Sequence, residues 1–418
     1  MTFQYELTKP QKLIYDMEQM AGGAISIICG CILREGSSDK SKMQYAANKL
    51  LQINDALRTR IIEEHGIAYQ TVEVYQEKKI KILNFSNKAE LDTYATAFAK
   101  VPFDLHGSLS TFLIVELPNR YGLLLKLHHI IGDGWSYSLL AKQFFALLDG
   151  EAPPAYSYSD YAASEKAYLK SSRYVTDRDY FMKQFQSCGK VTYLSEKKSN
   201  STVAERKTCL IDKEHTKYIY AYGESHNYSP FMLFIAALSI YMSRVKMNTD
   251  KFYLGTPVFN RAGSHEKNTV GMFVNIVPLL IGLNEHQSFL DNLTAVANAA
   301  FGILRHQKFN YGDILNTIRK EYGFSDRLYD VHMSYQNAKI IVKGNTESIW
   351  YPNGSQIESL QIHIEDRDDE GVFHVHYDYQ IEKFAEAEIE RIHQQICTLL
   401  FDGIAHDYKK LNELDMLS

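Results

Sequence analysis

The chain of 418 residues reads as an α/β protein of two or three packed units. Three observations predict this. The length exceeds what one hydrophobic core ordinarily fills. Short apolar or alternating runs repeatedly give way to segments whose apolar residues recur at helical spacing. A polar, tyrosine-rich helical tract at residues 157–187 separates two stretches that each carry this mixed pattern, which makes it the linker between lobes.

In order, residues 7–20 suggest a helix with Thr8 as N-cap and Pro10 in its first turn. Residues 24–33 alternate enough to be a strand and put Cys29 and Cys31 on one face, as two small core residues. Residues 40–53 are helical by apolar spacing, and a loop follows at Asn54-Asp55. Strands are expected at 67–75 and 79–84, a helix at 90–100, and strands at 110–117 and 121–127 around the turn signal Pro118-Asn119-Arg120. A helix runs from Trp135 to Leu148 until Glu151-Ala152-Pro153-Pro154 breaks it. Beyond the linker, strands are expected near 202–211, 252–257, 272–283, 329–336, 360–365 and 372–379. Helices are expected at 230–246, 289–307, 311–322 and 385–401. The lobes are therefore drawn as residues 1–170 and 171–418.

Apolar residues at 45% and charged residues at 23% match an ordinary soluble globular protein. A net charge of −5 gives no reason to expect a nucleic acid or an anionic membrane as partner. The five cysteines form neither a zinc pattern nor a disulfide framework, which favours a reducing cytoplasm. The first residues lack an apolar signal core, and no apolar run approaches the ~20 residues of a membrane span. No Gly-x-x-x-x-Gly-Lys-Ser/Thr, Gly-x-Gly-x-x-Gly or Gly-x-Ser-x-Gly motif is present, which argues against nucleotide binding and serine-hydrolase chemistry. The nucleophile should then belong to a substrate.

The chemistry concentrates in Lys126-Leu127-His128-His129-Ile130-Ile131-Gly132-Asp133-Gly134-Trp135-Ser136, read as a strand end, a turn and a helix start. Adjacent strand residues point to opposite faces, so His128 and His129 cannot both address one substrate atom. One is expected to be catalytic and the other structural. Gly134 is expected to close the turn with backbone angles closed to other residues, its N–H becoming a candidate oxyanion donor.

This stretch resembles the HHxxxDGxS signature of condensation domains in non-ribosomal peptide synthetases, and the resemblance runs the whole length of the chain. Leu7-Thr8-Lys9-Pro10-Gln11-Lys12 is similar to the first family motif, and Asp55-Ala56-Leu57-Arg58-Thr59 to the second. Tyr158-Ser159-Asp160-Tyr161 resembles the fourth, and Val270-Gly271-Met272-Phe273-Val274-Asn275 the fifth. Arg305-His306-Gln307 keeps part of the sixth. Leu414-Asp415-Met416-Leu417-Ser418 looks like the junction before an adenylation domain.

The resemblance implies two chloramphenicol-acetyltransferase-like lobes in a V-shaped pseudo-dimer with an interlobe tunnel. It implies that His129 serves acyl transfer and that Asp133 structures the loop through an interlobe salt bridge, with Arg261 as first partner and Arg58 as second. His128 is expected to be structural. Trp135, Ser136, Asn275 and Gln336 are candidate tunnel or substrate residues. A metal at His363, His374 and His376, or at His129 and Asp133, is weighed and set aside: strand histidines are commoner as surface residues, and the second pair lacks a third ligand.

The function expected is amide formation from a thioester donor and the amine of an aminoacyl thioester. His129 would accept or orient the proton, and the Gly134 amide would stabilise the oxyanion. Substrates would ride on phosphopantetheine or coenzyme A, with no cofactor bound covalently and with a downstream carrier protein and adenylation domain as partners. A non-catalytic carrier-docking domain and an acyltransferase for free alcohols or amines are the alternatives. The first motif and Asn54-Asp55-Ala56-Leu57-Arg58 are more similar to starter domains, which N-acylate the first amino acid of a lipopeptide, than to elongation domains taking an aminoacyl or peptidyl donor. The short stretch before the first motif is expected on the same reading. A starter wants an apolar channel, because each buried methylene contributes about 0.8 kcal/mol.

Overall fold

A computed structural model of the protein describes residues 4–21, 25–189, 191–246, 250–337, 339–340, 342–367 and 370–417. Ala24 and Ser418, at the ends of two expected segments, lie outside the described residues. The chain forms two compact units. The first is Met1–Ser171, Phe259–Val274 and Ala338–Ser355; the second is Ser172–Val258, Asn275–Asn337 and Gln356–Ser418. The division thus differs from contiguous lobes 1–170 and 171–418. Two later segments join the first unit because strand pairing and a buried ion pair, both absent from local sequence, hold them there.

The first unit contains β1 (Gln4–Glu6), α1 (Lys9–Ala21), β2 (Ile27–Glu35), α2 (Lys40–Ile53), β3 (Thr59–Glu64), β4 (Ile67–Val72), β5 (Lys81–Asn84), α3 (Lys88–Ala99), β6 (Ser110–Leu117), β7 (Arg120–His128), α4 (Gly134–Leu148) and α5 (Tyr158–Tyr168). The second begins with α6 (Ser172–Ser187), β8 (Ala204–Ile211), α7 (Lys213–His226), α8 (Pro230–Val245) and β9 (Lys251–Val258). The chain then supplies α9 (Gly263–Lys267) to the first unit. The second continues with β10 (Asn275–Gly282), α10 (Phe289–Arg305), α11 (Tyr311–Tyr322) and β11 (Val331–Gln336). After β12 (Thr346–Trp350), again in the first unit, come β13 (Leu360–Glu365), β14 (Phe373–Gln380) and α12 (Glu386–Ala405).

The sheet that positions the histidines has strand order β12-β2-β7-β6-β5. β7 is antiparallel to both neighbours, with Ile27 opposite His128 and Ser110 opposite Leu127. One face packs Ile32, Leu123, Leu125 and Leu127 against Met43 and Leu50 of α2 and Tyr137, Leu140 and Phe144 of α4. The other packs Cys29, Cys31, Leu113 and Leu124 against Leu91, Ala95 and Ala99 of α3. Burial on both faces explains why β7 reads as a nearly continuous apolar run, interrupted by Lys126, rather than an alternating one. All five cysteines are free thiols, and burial pushes that of Cys29 up to about 12.

The second unit has a sheet of order β10-β9-β11-β13-β14-β8. Helix contacts mark one face, where Phe373 meets Phe234 of α8 and the Tyr377 hydroxyl lies 3.0 Å from Nδ1 of His393 on α12. On the opposite face, Ser334, His363, His376 and Thr208 stand in register across four strands. His363 is 2.6 Å from the Ser334 hydroxyl, and His376 is 3.1 Å from Glu365. Among the described residues no group of three or more His, Cys, Asp or Glu is arranged to hold a metal. None of these residues belongs to a single helix long and apolar enough to cross a membrane.

β1, β3, α7, α9 and β12 have no counterpart in the sequence expectations, and the linker tract resolves into α5 and α6. Residues 272–274, expected to open a strand, precede β10 as irregular backbone, because the amides of Phe273 and Val274 turn to Asp133.

Candidate active site

β7 ends on His128, and His129 opens a single 3₁₀ turn of His129–Ile131 before Asp133 caps α4. Alternation stops here. His128 points into the core with no exposed surface, and its Nδ1 accepts from the Ile130 N–H at 3.1 Å. His129 is half-buried, its N–H donates to the Ser26 carbonyl at 2.7 Å, and its Nδ1 lies 3.2 Å from the thioether sulfur of Met272. A thioether only accepts, so the tautomer that fits has the proton on Nδ1 and leaves the Nε2 lone pair free. Burial lowers the pKa of His129 below its ordinary value, against a smaller upward pull from the Asp133 carboxylate.

Asp133 is the hub of the turn. Its Oδ2 and Oδ1 accept from Nη1 and Nη2 of Arg261 at 2.7 and 2.9 Å, a bidentate pair with both side chains at or below 1% exposure. Oδ1 also takes the Ser136 N–H at 2.9 Å, and Oδ2 takes the N–H groups of Phe273 and Val274 at 3.1 and 3.2 Å. Burial raises the Asp133 carboxyl, but the guanidinium and these donors outweigh it and hold the group below its usual range. Arg261 lies in the Phe259–Val274 segment of the first unit, so the pair is internal to that unit and is not the interlobe bridge expected. Arg58 is no partner. Its guanidinium donates to the carbonyls of Leu51 at 3.0 Å and Glu73 at 2.5 Å, because it ends a 3₁₀ turn and ties that turn to α2 and the end of β4.

Gly134 also departs from expectation. It is the first residue of α4, lies outside the left-handed backbone region, and a Cβ there would meet Trp350 at an ordinary 3.8 Å. The residue is exposed, and its amide is one of the first-turn donors that a helix leaves without an internal acceptor, at the end where the helix dipole favours negative charge. Gly271 is the glycine that sterics demand: a Cβ would stand 2.0 Å from the ring of Tyr158. The Tyr158 hydroxyl in turn lies 2.5 Å from the Met272 carbonyl and 2.9 Å from the Thr8 hydroxyl. Gln11 reaches the same turn, its Nε2 donating to the Ile130 carbonyl at 3.1 Å. Three family-like motifs thus brace one loop. Met272 and Tyr158 were legible only as motif letters, since neither carries a chemical signal of its own.

The four substrate candidates separate. Trp135 is half-buried, donates from Nε1 to the Lys267 carbonyl at 2.8 Å and meets the ring of Phe259 edge-on. Ser136 is wholly buried, its hydroxyl 3.0 Å from Asp133 and 2.8 Å from the Gly271 carbonyl, which makes it part of the brace. Asn275 is buried in the second unit. Its amide donates to the carbonyls of Gln307 and Phe309 and its oxygen accepts from Asn310 and Tyr311, so its hydrogen-bonding capacity is used in holding that loop. Gln336 ends β11 in the second unit, half-buried and in register with Glu365.

A family model described as a condensation domain matches residues 1–418. The chain is 28% identical over 433 residues to a plipastatin synthase subunit of Bacillus subtilis (strain 168), covering 99% of this chain and 17% of that protein. It is 26% identical over 437 residues to surfactin synthase subunit 1 of the same organism, covering 99% and 12%. The chain thus spans under a fifth of the length of these relatives. Among solved structures, it resembles the first condensation domain of the calcium-dependent antibiotic synthetase bound to a substrate analogue, with a TM-score of 0.85, 20% identity and coverage of 100% and 99%. It also resembles the starter condensation domain of rhizomide synthetase, solved as a mutant with C8-CoA and Leu-SNAC, with a TM-score of 0.87, 17% identity and coverage of 99% and 98%. The α/β fold is that of these structures, and the chain belongs to the condensation-domain family of non-ribosomal peptide synthetases, whose members form amide bonds by acyl transfer.

Proposed function

We propose that this chain transfers a fatty acyl group from a thioester, on coenzyme A or a carrier protein, to the α-amine of an aminoacyl thioester on a carrier protein, the N-acylating first step of a lipopeptide. The observation that carries the chemistry is His129: its Nδ1 faces a group that can only accept, and its Nε2 is left as a base. The amine nitrogen attacks the thioester carbon, Nε2 takes the amine proton, and the first amide of α4 at Gly134 faces the oxygen as it gains charge. The C–N bond forms, the C–S bond breaks, and the proton passes to the departing thiolate. Proximity of two bound thioesters supplies much of the rate, since the donor is already activated.

Support for a starter donor comes from likeness. The rhizomide neighbour is a starter domain solved with C8-CoA. The starter-like first motif also contributes Gln11 directly to the histidine turn. The implied partners are an adenylation domain and a phosphopantetheine-bearing carrier protein. Offered octanoyl-CoA together with an aminoacyl carrier protein, the protein is expected to give N-octanoyl product by mass spectrometry. Ready use of an aminoacyl carrier donor, with medium-chain and long-chain acyl thioesters all ignored, would replace this reading by the elongation one.

The acid limb of kcat/KM gives a second check. A histidine depressed by burial stays a neutral base below the ordinary value near 6.5. Plotted against the concentration of unprotonated acceptor amine, whose own ordinary value is about 7.7–8.0, the rate is therefore expected to hold as pH falls through the histidine value and to decline only at lower pH, as His129 takes up its proton. A limb above pH 7 that survives this normalisation would assign the base elsewhere.

A further inference from the structure

Beneath the histidine turn lies a buried carboxylate that no motif marks. Glu18 of α1 is 6% exposed, and its Oε2 stands 3.8 Å from Nε2 of His128. Neither of these two buried atoms has a hydrogen-bond partner among the described residues, so each is the other's polar counterpart. The Ser26 side chain also draws the Glu18 carboxyl down. The surroundings are otherwise apolar or occupied: the Phe103 ring lies edge-on to His128 at 6.1 Å, and the Lys126 ammonium donates to the Val101 carbonyl over the Phe98 and Phe103 rings.

His128 accepts at Nδ1 from the Ile130 N–H, which forces its own proton onto Nε2, the atom that faces Glu18. His129 is held from the other side, by its N–H to the carbonyl of Ser26. Both peptide N–H groups that frame His129 are therefore tied to Ser26 and His128, the two residues that draw the Glu18 carboxyl down. We infer that Glu18 is a positioning residue for the acyl transfer: its carboxylate fixes the Nε2–H tautomer of His128, and through the Ile130 amide it fixes the turn on which His129 stands. Burial raises the Glu18 carboxyl, while His128 and Ser26 draw it down further, so it is ionised at neutral pH and its charge faces the Nε2–H of His128 across 3.8 Å. A merely structural Glu–His pair would share the burial but would not couple to turnover.

The inference rests on His129 as the catalytic base, and the test separates the two. With the full chain, octanoyl-CoA and leucyl-N-acetylcysteamine as probes, Glu18→Gln is expected to lower kcat about 10- to 100-fold, the scale found when a group that orients a working histidine is removed. Both KM values should stay within about twofold. The glutamine keeps the size of the side chain but removes the charge that faces the Nε2 proton, so the His128 tautomer then rests on the Ile130 amide alone. In a His129→Ala background the same substitution should cost less than about twofold, since the path runs through His129. Wild-type kcat in Glu18→Gln alongside an inactive His129→Ala overturns the role of Glu18 and leaves His129 standing. A fully active His129→Ala overturns both. Nitrogen-15 NMR of the histidine-labelled wild-type protein needs no variant: His128 should show the Nε2–H tautomer at neutral pH, and a proton on Nδ1 refutes the inference.

Discussion

Replacing His129 with alanine is expected to lower turnover by about 100- to 10,000-fold, the range for losing a general base, while the melting temperature hardly moves. The side chain is half-buried, and its ring hydrogen bond goes to a sulfur, a weak acceptor. Its removal leaves no strong polar group stranded. His128→Ala should do the opposite. It opens a cavity at a fully buried site and strands the Ile130 N–H beside the Glu18 carboxylate, and losses of this kind cost roughly 1–3 kcal/mol for each unsatisfied group. Steady-state N-acylation with thermal unfolding of both variants checks the contrast. Equal melting temperatures would show that the two histidines do not divide the work, and near-normal turnover in His129→Ala would remove it from the mechanism.

Asp133→Ala is the most damaging single change expected. It strands a wholly buried guanidinium together with the N–H groups of Ser136, Phe273 and Val274. Breaking one side of such a pair costs roughly 3–5 kcal/mol, a large part of a typical folding free energy of about 5–15 kcal/mol. Activity should vanish with it, because the same carboxylate caps α4 and holds the segment that carries Met272. Urea unfolding is expected to show a lower midpoint. A variant that unfolds at the wild-type midpoint would show that the Asp133–Arg261 pair does not hold the fold.

The sheet around the histidines was legible because its signals are strong. β7 is a long apolar run between a turn and a glycine, and α2 and α11 carry apolar residues at regular helical spacing. What escaped was non-local or polar. β12, Thr-Glu-Ser-Ile-Trp, has no apolar run and becomes a strand only because β2 offers an open edge more than 300 residues earlier. α7 is rich in charged and aromatic residues, with only Thr216, Ile219, Tyr222 and Gly223 buried, too thin a stripe to read as a helix. In the site, the resemblance implied a cation for Asp133, with Arg261 first and Arg58 second. Only the fold shows that Arg58 is already committed to backbone carbonyls. Glu18 was invisible for the same reason: nothing in a helix sequence says that one of its carboxylates faces a histidine 110 positions away.

The interrupted course of the first unit has a consequence during synthesis. Asp133 is made 128 residues before Arg261, and β2 waits still longer for β12. At a ribosomal pace of about 5–20 residues per second, the carboxylate spends roughly 6–25 s before its native partner Arg261 is made. The first 171 residues therefore cannot complete their core on emergence, and a fragment cut there would keep an uncompensated charge and an open sheet edge. Any exchange of this unit between synthetases must carry Phe259–Val274 and Ala338–Ser355 along with it.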